Sequence, residues 1–364
     1  MKNISRKCFM TSVVCIILGA ILLGAGYATG GLQNIKHQTA PKKVIKTFDQ
    51  ITALDIDSNF STITVETGPV QKPTVTYYTH PKFIDPIVAT VTGKTLSLSQ
   101  KPKDLVITGG IEILGFTLNN NRREKNYRSI IITVPEKTSL DEIKGSNVPH
   151  TTLSNLTVQK MQFNGNLTLL HTKVKKATIT GMLDATKSQL TNLELKADYS
   201  FSNLTDSSVE KGTISLGNGQ LTTKDTTLKA VNIQSLHPGG IKAERTTLED
   251  VTFTVSKSKE EEEENDSYDN SAIFTAHALT LKGINTITGG DIDVDITLTE
   301  AKAIAYKART ENGKVSLGSQ LTPAKIDKES ASDVIAYVAE NKAATGNLVV
   351  DLNKGCLLYT SPSP

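Results

Sequence analysis

The chain has 364 residues with 40 Lys+Arg against 37 Asp+Glu, a formal charge of +3 that gives no electrostatic case for nucleic acid. Hydrophobic residues make up 38%, aromatics 5%, Trp is absent, and 25 Gly and 12 Pro are dispersed, which excludes a collagen-like or disordered chain and leaves a core poor in aromatics. Three Cys, at positions 8, 15 and 356, place no pair between residues 41 and 355, so neither a disulfide framework nor a Cys-built metal site holds that region.

Lys2, Arg6 and Lys7 precede Phe9–Gly26, a stretch without a single charge. At 1.5 Å per residue such a helix spans about 27 Å, the short end of a bilayer crossing, and the basic flank keeps the N-terminus in the cytoplasm. Gly26-Tyr27-Ala28 resembles a small-x-small cleavage site, but the apolar run exceeds an ordinary signal-peptide core, so an anchor is preferred to a cleaved leader. A lipoprotein fails because Val14 stands before Cys15 where a small residue is needed. Residues 1–40 are therefore read as flank, transmembrane anchor and linker of a single-pass cell-membrane protein whose bulk is extracellular.

Strand patterns follow at once. Ile51–Ile56, Ser61–Glu66, Pro73–Tyr77, Thr95–Leu98 and Ser129–Pro135 alternate apolar and polar residues with period two. Between residues 150 and 255 a phrase recurs with its first apolar position at 153, 174, 190, 209, 228 and 248, as in Thr226-Thr227-Leu228-Lys229-Ala230-Val231-Asn232-Ile233. Shorter segments led by Gly, such as Gly181-Met182-Leu183-Asp184, separate the copies. A unit of about 19–20 residues cannot bury its own apolar face, so copies must stack on one another. A leucine-rich horseshoe lacks its Leu spacing and Asn ladder here, and a propeller blade needs about 40 residues or more. The expected fold is all-β: a single parallel β-solenoid of about 19–20 residues per coil over residues 41–355, preceded by one transmembrane helix.

Further strands are expected at Ala278–Leu281, Asp291–Ile296, Lys314–Leu317 and Asn347–Leu352, with a short capped helix at Ser332–Lys342. Gly109–Arg128 pairs an apolar tip with a basic cluster and reads as an exposed hairpin; residues 257–271, with Glu260–Glu264, read as an acidic solvated loop. Cys356–Pro364 matches no earlier pattern and is read as a non-native tail.

The Ile51–Gly68 phrase IxxLDIDxxxSxITVExG, the Val134-Pro135 strand end and the Glu311–Leu317 turn-and-strand phrase, together with the anchor, resemble the bacterial putative-adhesin family of unknown function, LiaG-like and Gram-positive. The resemblance spans roughly residues 45–355 and implies a membrane-anchored extracellular β-solenoid; it transfers no catalytic residue.

Six dispersed His, with no phosphate loop and no nucleophile elbow, argue against an enzyme and against any bound cofactor. One metal candidate remains: Asp291, Asp293 and Asp295 alternate with Ile292, Val294 and Ile296, which puts three carboxylates on one face at steps of about 6.6 Å. Arg122, Arg123, Lys125 and Arg128 form a candidate envelope contact for a cell-wall polymer or anionic lipid. Outward Thr62, Thr64, Thr157, Thr178 and Thr252 suggest a hydroxyl-rich wall, although the lack of Trp weakens a sugar-stacking site. The function expected is a non-catalytic binding or scaffold protein at the cell envelope, with a surface protein as a further class of partner. The alternatives are a regulatory or sensing partner of an envelope-stress membrane system and a polysaccharide-active β-helix enzyme.

Overall fold

The computed structural model describes residues 2–58, 61–102, 109–119, 127–236, 238–256, 272–290, 292–300, 304–317, 325–329, 334–339 and 344–360. Among them are 27 strands and three helices: α1 (Lys2–Ala28), α2 (Gly31–Gln38) and α3 (Gly110–Asn119). The chain divides into two compact units, one formed by residues 1–45, 76–87 and 101–129, the other by 46–75, 88–100 and 130–364.

The first unit holds the helices. Cys8–Ala28 within α1 is a 21-residue stretch long and apolar enough to cross a membrane, and none of it is buried. The chain turns at Thr29–Gly30, where Gly30 adopts φ 77°, and α2 follows. Within the segment read as a hairpin, Gly110–Asn119 is instead α3, because Ile111, Leu114 and Leu118 recur at i, i+3 and i+7, a helical period that the strand reading overlooked.

The second unit is a solenoid-like stack of parallel ladders. In one ladder Leu140, Val158, Val174, Leu190, Val209, Leu228, Leu248 and Leu281 pair rung to rung. A second ladder runs Leu98, Ile56, Gly145, Phe163, Ile179, Leu195, Ile214, Ile233, Phe253, Ile287, Val350 and Ala308. Every member of it is buried. Period-two alternation sends these side chains inward and their Thr, Glu, Lys and Asn neighbours outward, so repeated burial in register, at about 25 cal/mol per Å² of apolar surface, replaces a globular core.

Register corrects the repeat. Leu153 pairs with Leu169 and belongs to another ladder, whereas Val158 stands over Val174. The first positions are thus 158, 174, 190, 209, 228 and 248, and the steps are 16, 16, 19, 19 and 20, with 16 in place of 21 at the first step. Thr152–Val158 mimics the repeated phrase, but Leu156 fills the place that Thr172 takes one coil later, as the Lys173 N–H to Leu156 carbonyl bond (2.8 Å) shows.

The corner before that ladder carries a regularity of its own. His171, Lys187, Asp206, Asp225 and Arg245 all have φ between 46° and 50°. Each is followed by a buried hydroxyl: Thr172, Ser188, Ser207, Thr226 and Thr246. At each corner a carbonyl that already accepts a backbone N–H from the preceding coil accepts a second bond from the hydroxyl. Thr172 donates to the Leu170 carbonyl (3.0 Å), Ser188 to Thr186 (2.9 Å), Ser207 to Thr205 (2.7 Å) and Thr226 to Lys224 (2.9 Å). The hydroxyls of Ser188 and Ser207 also accept the backbone N–H of Thr172 and Ser188, both at 3.1 Å. Buried Leu156 and Leu279 bound this column at its two ends.

One further correction concerns the C-terminal part. Val334–Ala339, expected within a helix, is a strand paired antiparallel with both Ile304–Leu317 and Lys325–Glu329. Its Val-Ile-Ala-Tyr-Val-Ala sequence favours the pleated state over the helix that Ser332-Asp333 suggested. The strand Gly346–Thr360 extends into the segment read as a tail and pairs in parallel with Ile304–Leu317. Residues 257–271, the acidic segment, lie outside the described residues.

Candidate functional surfaces

The outward positions of the ladders form rows. Lys144, Gln162, Thr178, Glu194, Thr213, Asn232, Thr252 and Thr286 follow one another rung by rung. A parallel row holds Asn164, Thr180, Lys196, Ser215, Gln234, Thr254 and Thr288. Successive rungs lie about 4.8 Å apart, so each row is a one-dimensional array of donors and acceptors. Thr62, Thr157, Thr64, Thr178 and Thr252 all point outward, the first two exposed and the others half-buried.

Charges on these walls are neutralised between coils. Lys160 Nζ meets Glu142 Oε1 at 2.8 Å and Lys229 Nζ meets Glu249 Oε1 at 2.7 Å. Arg245 grips Asp225 with two bonds, Nε to Oδ1 at 2.6 Å and Nη2 to Oδ2 at 2.7 Å, and also pairs with Glu244. The bond from Lys160 holds the Glu142 carboxyl below the usual carboxylate range, and the bond from Arg245 does the same for Asp225. These pairs are exposed and add little stability; they set opposite charges of neighbouring coils against each other.

One place departs from that uniformity. The turn Ala197–Ser200 stacks with the turns Leu216–Gly219 and Leu236–Gly239, each closed by a backbone bond of 2.7–3.1 Å. Where the later turns are built on Gly, the first carries Tyr199 (81% exposed), and the strand that follows opens with Phe201 (67% exposed). Alternation places Asn203 on the outer face beside Phe201, and Asn203 Nδ2 donates to Asp184 Oδ1 on the preceding coil at 2.6 Å. Gln220 and Thr222 pair with Phe201 and Asn203 from the next coil, and Lys242 stands beyond Thr222. An aromatic face is thereby flanked by a carboxylate, two amides, a hydroxyl and an ammonium. The sequence reading missed it, although Asp-Tyr-Ser-Phe in place of a Gly turn was the available signal.

The residues singled out from sequence fare differently. Asp293 and Asp295 alternate with buried Ile292, Val294 and Ile296, and Asp291 lies outside the described residues. The coil facing them supplies Ile273 and Thr275, so no carboxylate joins them from that side. Among the described residues no group of three or more His, Cys, Asp or Glu is placed to hold a metal ion. Of the basic cluster, Arg122, Arg123 and Lys125 lie outside the described residues, while Arg128 is exposed beside Tyr127, whose ring meets Tyr78 edge-on at 5.0 Å.

A stack of this construction is what the family match names. The profile of the Toastrack DUF4097 family matches residues 51–345. The chain belongs to the Toastrack DUF4097 family. Solved structures similar to this Toastrack chain include a putative cell adhesion protein from Clostridium sporogenes, at 11% identity over 88% of this chain and 100% of that one, TM-score 0.20. A putative adhesin from Parabacteroides distasonis matches at 11% identity over 70% and 92%, TM-score 0.35. A putative lipid binding protein from the same organism matches at 15% over 70% and 92%, TM-score 0.29. No curated protein matches.

Proposed function

We propose that this Toastrack protein is a non-catalytic, membrane-anchored binding protein of the cell surface whose stack presents a wall to a repeating glycan of the cell envelope. In this reading α1 stays in the membrane with its basic N-terminal flank in the cytoplasm, and the stack of coils lies outside, as in the LiaG-like Gram-positive proteins it resembles. The observation that carries the reading is the Phe201 cluster: an exposed ring set among Asp184, Asn203, Gln220 and Thr222 on a wall whose polar rows repeat at every rung. Sugar rings present an apolar face to an aromatic and hydroxyls to amides and carboxylates, and a periodic wall engages a periodic polymer at several points at once. Phe201 and Tyr199 supply the stacking surface that the absence of Trp had argued against.

Retention of the full-length protein on purified cell-wall glycan, on teichoic acid and on anionic vesicles tests this. The double variant Tyr199→Ser, Phe201→Ser is expected to lose glycan retention about tenfold, equivalent to about 1.4 kcal/mol, while its thermal midpoint stays unchanged. Equal retention of variant and parent would overturn the glycan reading. Salt-sensitive retention on teichoic acid that the Ser variants of Arg122, Arg123, Lys125 and Arg128 abolish would move the contact to the basic cluster instead.

A further inference from the structure

The helix α3 is apolar on the wrong side for a helix of a water-soluble body. Its inner side holds Gly115 and Asn119, both buried, together with Glu112, which pairs with Lys82, and Phe116, whose ring meets Phe83 at 5.4 Å. At 100° per residue the opposite side carries Ile113, Thr117, Leu114, Leu118 and Ile111 in angular order. Ile111 is 67% exposed, Ile113 55% and Leu114 37%. Thr117, the one polar member, donates its hydroxyl to the Ile113 carbonyl at 2.9 Å, so it too offers a methyl group outward with no donor left over. A continuous outward apolar face on a ten-residue helix needs a cover.

The seat of α3 says what the cover is. Asn119 Nδ2 donates to the Lys36 carbonyl at 3.1 Å and to Thr39 Oγ1 at 3.0 Å, which ties α3 to α2. Gly115 permits the close approach: a Cβ there would lie 2.5–2.7 Å from the Thr39 side chain. In turn α2 begins just after the apolar helix ends at Ala28, and a Cβ on its first residue, Gly31, would lie 2.6 Å from the Gly26 carbonyl oxygen. The eight residues of α2 span about 12 Å, so α3 is fixed within that distance of the end of the membrane-crossing stretch, next to the interfacial zone of any bilayer that α1 enters. We propose that α3 is an interfacial helix that lays Ile111, Ile113, Leu114 and Leu118 into the outer leaflet of the membrane crossed by α1. This rests on the anchored reading above. It adds a second point of attachment that fixes the tilt of the helical unit against the membrane, where α1 alone leaves it free to swing.

The absence of Trp makes the test direct. Leu114→Trp gives the full-length protein a single indole on the apolar face, and Lys160→Trp gives one on an exposed strand position of the stack. Both are reconstituted in phosphatidylcholine vesicles with and without lipid brominated on the acyl chains. The indole at 114 is expected to emit at shorter wavelength than the one at 160 and to lose roughly half its emission to the brominated lipid, as a side chain sunk about 5–10 Å below the headgroups does; the indole at 160 keeps its emission. Unquenched, long-wavelength emission at 114 from protein that stays with the vesicles in alkaline carbonate would overturn the α3 proposal and leave the anchor standing. Release of the protein by carbonate would overturn the anchor itself. Short-wavelength emission without quenching would mean that protein, not lipid, covers α3, and that also overturns the proposal.

Discussion

Gly145 and Phe163 show at one contact how the ladder sets residue choice. A Cβ on Gly145 would lie 2.3 Å from the Phe163 ring, so the largest side chain of that rung depends on the smallest one below it. Gly145→Ala is expected to destabilise by about 1–3 kcal/mol, and Phe163→Leu in the same chain to recover part of the loss. A double-mutant cycle in urea that returned additive effects would refute the coupling. The hydroxyl column makes a second residue-scale prediction. Ser207→Ala leaves the buried N–H of Ser188 without its partner and is expected to cost about 1–3 kcal/mol, whereas Ser207→Thr keeps the hydroxyl and costs less; urea midpoints of the two variants decide. His80 supplies the pH dependence. Its Nδ1 accepts the N–H groups of Lys82 and Phe83, both at 3.1 Å, and its ring stacks on Phe83 at 4.1 Å. Burial first, then the Lys82 charge, lowers its pKa below 6.5. The folded state therefore prefers neutral His80, and its contribution is complete above pH 6.5 and declines as pH falls below that value. Hydrogen exchange in Lys82–Ile84 should accelerate on going from about pH 7 to about pH 5, after correction for intrinsic rates, and His80→Gln should remove that acceleration.

Among the elements, strands were legible and their stacking order only partly so. Period-two alternation located Thr62–Gly68, Thr95–Gln100 and Ser129–Pro135 because each has one buried face. The register of the first repeat was lost because the Thr152-Leu153 spacing matches the repeated phrase while Leu153 joins the neighbouring ladder, and sequence similarity does not say which carbonyl a strand will meet. The helix α3 and the strand Val334–Ala339 were exchanged for a hairpin and a helix for one shared reason. Short segments rich in Ile, Leu and Val satisfy either period, and the choice is made by what packs against them: α2 for the one, strands on two sides for the other. The Phe201 cluster escaped notice because its members, Asp184, Asn203, Gln220 and Thr222, come from three coils and meet only through register.

At the scale of the whole stack, the ladder accounts for a large irregularity in the spacing of the repeats. Leu248 and Leu281 are neighbours on the ladder although far more chain lies between them than between Leu228 and Leu248, the pair before. Leu236 pairs with Ser256 and Gly240 with Ile273, so residues 257–272 stand where the coil before uses only residues 237–239. In sequence the acidic stretch is thus an insertion between two strands whose described rungs match those of the preceding coil. Replacing residues 257–271 with a turn as short as 237–239 is expected to leave the thermal midpoint nearly unchanged, since loop length enters stability only logarithmically, by about 0.6 kcal/mol per doubling. A large fall in the midpoint would show that the inserted segment supports the stack.

Between Leu140 and Leu281 each coil pairs with the one that precedes it in the chain, as Val174 stands on Val158, Leu190 on Val174 and Val209 on Leu190. Within that run a chain emerging N-terminus first therefore offers each new coil a finished edge of the right register. Growth by templating closes a loop of one coil at a time there, whereas the ends of the stack need longer closures, Ile56 with Gly145 and Ile287 with Val350. The same polarity means that a defect early in the series, such as one at Phe163, withholds the template from all coils that follow, whereas an equal defect at Phe253 leaves the earlier ones complete.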